Sequence, residues 1–269
     1  MALSMRTAPT SSFGTLLRDH RARRRWSQSS LAEQAEVSTR HLSFLETGKA
    51  SPSREMVLVL SSALELPLRE RNVLLGAAGF APVYRESALD SPAMSDVRHA
   101  IGLLLSHHEP FPAMVFDPLW NVVKINQGAG ALMSLVPMSD EAGPILGNGL
   151  RFLFHPKGAR PFVENWDEVA AYVLDQVRRE THAAPRDGSA ALLAEIEALA
   201  GPLRSVPPRT IESPLLEVRL RTGGRRLRFF TTITTLGTPL DVTVQELRIE
   251  TYFPADPETR AIMESLRAS

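Results

Sequence analysis

The chain has 269 residues, 43% of them hydrophobic and 22% charged, which is apolar material for one large or two modest cores. Thirty Lys and Arg balance thirty Asp and Glu, so net charge points to no nucleic-acid or membrane partner and any electrostatic footprint has to be local. Without cysteine there is no disulfide framework, no Cys-based zinc site and no thiol redox switch; no apolar run reaches the roughly 18 to 20 residues of a membrane span and the start lacks a signal peptide's apolar core, so a cytoplasmic protein is expected.

From Phe13 to Ala78 short apolar-periodic segments, punctuated by serines, predict five helices and no strand. The first covers Phe13 to Arg24 with Leu16 and Leu17 inward. The second follows Ser27 and ends near Ala35, the third runs from Ser38 to Glu46, the fourth from Ser53 to Leu64, and the fifth from Leu68 to Ala78 behind Pro67. Gly79 and Pro82 close this segment. Its N-terminal side is basic: Arg6, Arg18, Arg21, Arg23, Arg24 and Arg25 face one acid, Asp19, within the first 25 residues. That cluster reads either as a phosphate-facing patch or as a solvated helix face.

Residues 27 to 46, SQSSLAEQAEVSTRHLSFLE, have the layout of a helix-turn-helix: one helix to lie across a DNA backbone, a tight connection, and a second helix whose start enters the major groove. Leu31, Ala32, Ala35, Val37, Leu42 and Leu45 would lock the pair, with Ala32 small at the close approach. Gln28 and Ser29 at one helix start suit phosphate, aided by free backbone N–H groups. In the recognition helix Ser38, Thr39, Arg40 and Ser43 lie on the outward side, and Arg40 is the candidate base contact because a guanidinium can bridge guanine O6 and N7. Arg24 and Lys49 complete the expected DNA-binding set. The competing reading is a small helical bundle used for protein contact.

Residues 83 to 96 read as a linker, with Ser87, Ser91 and Pro92, leading to a helix near Val97 to Ser106. The texture then becomes mixed. Short strands are expected at 113–116 and 122–125 around a turn at Asp117, Pro118 and Asn121, amphipathic helices at Asn165 to His182 and Ser189 to Ala200, and strands at 213–220, 225–236 and 242–253. Thr222, Gly223 and Gly224 form a hairpin turn and Gly237 to Pro239 another, so antiparallel pairing is the economical topology. In the last strand Leu247, Ile249 and Phe253 alternate with Glu246, Arg248 and Glu250, which predicts one buried and one solvated face. Asp241, Asp117 and Asn126 read as turn and cap residues. No residues form a catalytic or metal pattern: His107 and His108 are adjacent rather than spaced for a shared ligand, and GPILGNG (143 to 149) lacks the spacing of a phosphate loop and reads as a flexible loop.

The stretch from Gln28 through Pro82, with STRHLSFLETGKASPSREMVLVLSSALELPLRERNVLLGAAGFAP, resembles the XRE-type helix-turn-helix of the MmyB-like regulators. EPFPAMVFDPLWNVVKINQGAGALM (109 to 133) and FFTTITTLGTPLDVTVQELRIETYFPAD (229 to 256) are similar to that family's ligand-binding domain; residues 137 to 150 and 183 to 210 are not, and nothing is carried over there. The resemblance implies an α+β chain: an N-terminal all-α helix-turn-helix bundle over 1–82, a linker over 83–96, and over 97–269 a PAS-like domain whose antiparallel sheet is covered by helices around an apolar cavity. Met114, Phe116, Trp120, Phe152, Trp166, Tyr172, Phe230 and Ile249 are its candidate lining, each with plain core packing as the competing role. The expected function is therefore a regulator binding a double-stranded DNA operator under control of a small apolar, fatty-acid-like ligand, with no other cofactor, no metal, no enzymatic activity and no membrane insertion. The alternative is a constitutive dimeric repressor. A homodimer is expected because one helix-turn-helix reads one half-site, with the sheet face bearing Arg248 and Glu250 as its candidate interface.

Overall fold

The computed structural model describes residues 12–137, 143–203 and 215–266. Arg6 and residues 213 and 214, the start of an expected strand, lie outside them. The chain divides into two compact units: one takes the residues up to Ala93 together with Gly237–Gln245, the other Met94–Leu236 together with the residues from Glu246 onward.

The first unit holds the five expected helices, α1 (Phe13–Arg23), α2 (Gln28–Gln34), α3 (Thr39–Glu46), α4 (Arg54–Ala63) and α5 (Leu68–Ala77). Four start alike. Ser12, Ser27, Ser38 and Ser53 each accept a bond from the backbone N–H three residues on, at 3.0 to 3.3 Å, which satisfies an otherwise orphaned donor of the first turn. All five end alike too. A residue with left-handed backbone follows each helix, and the next N–H reaches back five positions, as from Val37 to the Ala32 carbonyl at 2.9 Å and from Lys49 to Phe44 at 2.8 Å. Gly48 and Gly79 fill that position for α3 and α5, whereas Arg25, Glu36 and Glu65 fill it for the others against the steric preference of a side chain. Between the helices Leu17, Leu31, Leu42, Leu45, Leu60, Leu74 and Leu75 are fully enclosed. Gly14 lets α1 cross α3, since a Cβ there would sit 2.5 Å from the Leu45 carbonyl oxygen.

Gly237–Gln245 completes this unit from far along the chain. Val242 N donates to the Arg85 carbonyl at 2.8 Å, and the Asp241 carboxylate accepts from Ser87 N at 3.2 Å and Ser87 Oγ at 2.8 Å. Helix α5 begins at Pro67, which offers no side-chain cap, and its first N–H is taken by Gln245 Oε1 at 2.7 Å.

The second unit comprises, in chain order, α6 (Ser95–His107), β1 (Ala113–Phe116), β2 (Val122–Ile125), α7 (Gln127–Ser134), α8 (Gly143–Leu146), α9 (Gly149–Phe154), α10 (Trp166–Ala183), α11 (Ser189–Ala200), β3 (Glu217–Thr222), β4 (Arg225–Thr234), β5 (Arg248–Pro254) and α13 (Pro257–Leu266); the five-residue α12 (Val242–Glu246), between β4 and β5 in the chain, belongs to the first unit up to Gln245. The sheet order is β2-β1-β5-β4-β3 and every neighbouring pair is antiparallel. Gly223 and Gly224 turn the β3–β4 hairpin with φ of 56° and 72°, a turn that demands positive φ at both positions. Asn126 caps α7 through Ala129 N and also accepts from Ala113 N, tying that helix to β1.

Three expectations change. The strand placed over 242–253 begins only at Arg248, because Asp241 caps the Thr243 N–H at 2.9 Å and starts α12. GPILGNG is α8 followed by the Asn148 cap of α9, whose Oδ1 accepts from Leu150 N and Arg151 N at 3.1 Å, and is not a loop. The face of β5 carrying Arg248 and Glu250 is covered rather than solvated: register places Met114 opposite Glu250 and Phe116 opposite Arg248, and α9, α10 and α11 pack with Phe116 and Trp120 in one buried cluster. Alternation of polar and apolar residues reads as one wet face, but here the polar side chains look into the protein.

Candidate functional site

Helices α2 and α3 are joined by Ala35 to Ser38 in a tight helix-end turn, and one buried network sets their angle. The Glu46 side chain, fully enclosed, accepts both arms of Arg21 at 2.6 and 2.9 Å and the amide of Gln28 at 2.7 Å, so α1, α2 and α3 meet on one carboxylate. Burial by itself would raise that carboxyl. The hydrogen bonds from Arg21 and Gln28, with the charges of Arg21 and Arg18, outweigh it and hold the group below the usual carboxylate range. Arg21 and Gln28 are thereby committed inside the bundle. The side-chain contact to phosphate expected at Gln28 cannot form while this bond stands.

Ser29, Ser38, Thr39, Arg40 and Lys49 are exposed, and Ser43 is half-buried. Arg24 is half-buried, bonds Glu65 at 2.8 Å and lies 5.5 Å over the Trp26 ring, so it is less available than its place in the basic cluster suggests. One residue was passed over in the sequence. The Phe44 ring has the Arg40 guanidinium 5.4 Å and the Lys49 ammonium 5.9 Å from its centre, which assembles two cations and an aromatic face on the outer side of α3. The signal was the spacing of four between Arg40 and Phe44, which puts them on one helix face.

In the second unit the sheet and the helices over it leave a cavity of about 430 Å³, inside the roughly 300 to 1,000 Å³ usual for small-molecule sites. The sheet supplies Met114, Phe116, Val218, Leu220, Thr231, Ile233, Glu250 and Tyr252, all on one face by register. Leu132 and Met133 of α7, Leu150, Phe152 and Leu153 of α9, and Val169, Tyr172, Val173 and Gln176 of α10 close it. Tyr172 and Leu215 line it while about half exposed, at 51% and 53%, which marks where it opens to solvent. Gly149 admits the Phe116 ring, since a Cβ there would lie 2.7 Å from it.

Of the expected lining residues, Met114, Phe116, Trp120, Phe152 and Tyr172 face the cavity; Trp166, Phe230 and Ile249 do not. Trp166 packs edge-on against Phe154 at 5.1 Å with the Arg160 guanidinium 4.9 Å from its ring. Phe230 and Ile249 fall on the opposite sheet face by strand parity, Phe230 stacked on Phe253 at 5.2 Å and Ile249 buried opposite Val115. The polar end of the cavity was missed altogether. Glu250 sits there with the hydroxyls of Thr231 and Tyr252 turned to it; burial pushes its carboxyl up to about 7 despite both hydroxyls, and burial and Glu250 together push Tyr252 well above the usual phenol range.

A basic-aromatic helix-turn-helix and a separate apolar cavity define a transcription regulator with a DNA-binding domain and a ligand-binding domain. The comparisons with known families give the same partition: residues 97–266 match the MmyB-like transcription regulator ligand binding domain and residues 12–74 match a helix-turn-helix domain. The chain belongs to the MmyB-like transcription regulators. No curated protein matches it. Among the described residues no helix is long and apolar enough to cross a membrane, and no cluster of His, Asp or Glu is arranged to hold a metal ion.

Proposed function

We propose that this regulator binds a double-stranded DNA operator through α3 and that a small, largely apolar molecule in the second-unit cavity controls the binding. The observation carrying this reading is the path of the chain. It leaves the cavity wall at Ile233 in β4, contributes Gly237–Gln245 to the helix-turn-helix unit, and rejoins the wall at Glu250 in β5. A ligand that alters the ends of β4 and β5 therefore pulls on a segment whose Asp241 and Gln245 hold Ser87 and the start of α5. The five-stranded antiparallel sheet with helices over one face supports the PAS-like description, and a homodimer in the cytoplasm suits a helix-turn-helix that reads one half-site per copy. The face with Arg248 and Glu250 no longer serves as its interface, because it is internal.

The DNA half of the reading is tested on a site selected from random sequence. Arg40→Ala is expected to weaken that site by about 1–3 kcal/mol and to leave random DNA nearly unchanged, whereas Lys49→Ala weakens both alike. Equal losses for both variants on both DNAs would remove the division of labour. The ligand half is tested by native mass spectrometry of the purified chain followed by extraction. A near-stoichiometric apolar adduct that changes operator affinity is expected; an operator affinity indifferent to the adduct would leave a constitutive repressor.

A further inference from the structure

The cavity wall is apolar except at one end, and the charge there has one sign. Glu250 faces inward between Met114 on β1 and Ile233 on β4, its register partners, with Thr231, Tyr252 and Gln176 also lining the wall. Among the described residues no Lys, Arg or His lines the cavity, whether from the sheet or from α7, α9 or α10. The nearest cation along the strand, Arg248, is spent elsewhere: it bonds Glu180 at 2.6 Å and lies 5.1 Å over the Trp120 ring. A carboxylate in a largely apolar cavity, with hydroxyls beside it but no counter-ion among the described lining residues, is costly, so a ligand that supplies the missing charge or proton gains from the site's own deficit. A ligand carboxylate would instead put two like charges together in a medium that screens them poorly.

Resting on the ligand-cavity reading above, we propose that the cavity takes a single-chain aliphatic molecule whose polar end is a hydrogen-bond donor, a primary ammonium above all, seated against Glu250, and that it discriminates against free fatty-acid carboxylates. The raised titration of Glu250 agrees with this, because a partner cation would restore the ionised form and a partner anion would suppress it.

The probes are dodecylamine, dodecanol and dodecanoate, each below its micelle concentration, added at about pH 8.5 to the full chain in a Trp26→Phe background. The remaining fluorescence comes from Trp120, which lines the cavity, and Trp166, and its change reports affinity, while native mass spectrometry reports stoichiometry. The amine is expected to bind at least about tenfold more tightly than dodecanoate, and Glu250→Gln to collapse that ratio toward unity while leaving dodecanol little changed. Dodecanoate binding as tightly as the amine to the unsubstituted cavity overturns the head-group assignment whether or not the variant folds, and so does a ratio untouched by Glu250→Gln. If none of the three binds near one to one, the ligand-cavity reading itself fails and takes this assignment with it.

Discussion

Glu250→Gln tests the electrostatics of the cavity independently of any ligand. The glutamine keeps the shape and hydrogen-bonding reach of the protonated acid and removes its charge. A carboxyl that titrates at the ordinary 4.5 in the unfolded chain and at about 7 in the fold binds its proton more tightly when folded. Its contribution to stability is therefore complete below the unfolded value and is lost as pH rises through about 7. With about 1.4 kcal/mol for each unit between those values, the ionised carboxyl costs the native state on the order of 3 kcal/mol above pH 7 and little near pH 4.5. In urea denaturation followed by Trp120 and Trp166 fluorescence, with Trp26 replaced by Phe, the variant should be nearly as stable as the parent near pH 4.5. Its advantage should then grow to about 3 kcal/mol by pH 8. Taking the difference between two chains that share every other titrating group isolates Glu250. A difference flat with pH, or one that shrinks as pH rises, would refute the assignment of an uncompensated interior carboxylate.

Other outcomes follow from the helical unit. Arg21→Ala strands the enclosed Glu46 carboxylate with only Gln28 and the more distant Arg18, and is expected to cost about 3–5 kcal/mol in thermal or urea unfolding; a loss under about 1 kcal/mol would show that the network does not hold the three helices together. Glu36→Gly relieves a side chain at φ 55° in the turn between α2 and α3 and should stabilise the fold by about 0.5–1 kcal/mol, measured as a raised denaturation midpoint with an unchanged slope. Gly14→Ala drives a methyl against two backbone carbonyls of α3, which cannot swing aside as a side chain could. A destabilisation of about 1–3 kcal/mol is expected, and an unchanged melting temperature would mean that α1 crosses α3 less closely than the geometry requires.

The helix-turn-helix was legible because its signals are local. Serines at four helix starts, leucines at helical spacing and small residues at the crossing each act within a few positions, so periodicity and capping chemistry expose them. The same holds for α10 and α11, whose apolar stripes run without interruption, and for the paired glycines of the β3–β4 turn. What misled was a cue with two meanings. Val242 and Val244 have the spacing of a strand, yet a helix starts there, because Asp241 caps the Thr243 N–H while its carboxylate also holds Ser87, 154 residues away in the chain.

Composition, caps and periodicity thus determined, from the residues alone, that one end of this chain is a helical DNA-reading module and that the other is a helix-covered antiparallel sheet. Tertiary structure alone decided what each polar residue faces. Gln28 and Arg21 look like surface donors in the sequence and instead close on Glu46, while Glu250 has the alternation of a solvated strand position and instead forms the charged end of an apolar cavity. Spacing along a chain states which side of an element a residue occupies. Whether that side meets water, a carboxylate or an empty interior depends on elements brought there from elsewhere, and hence on packing that no local window contains.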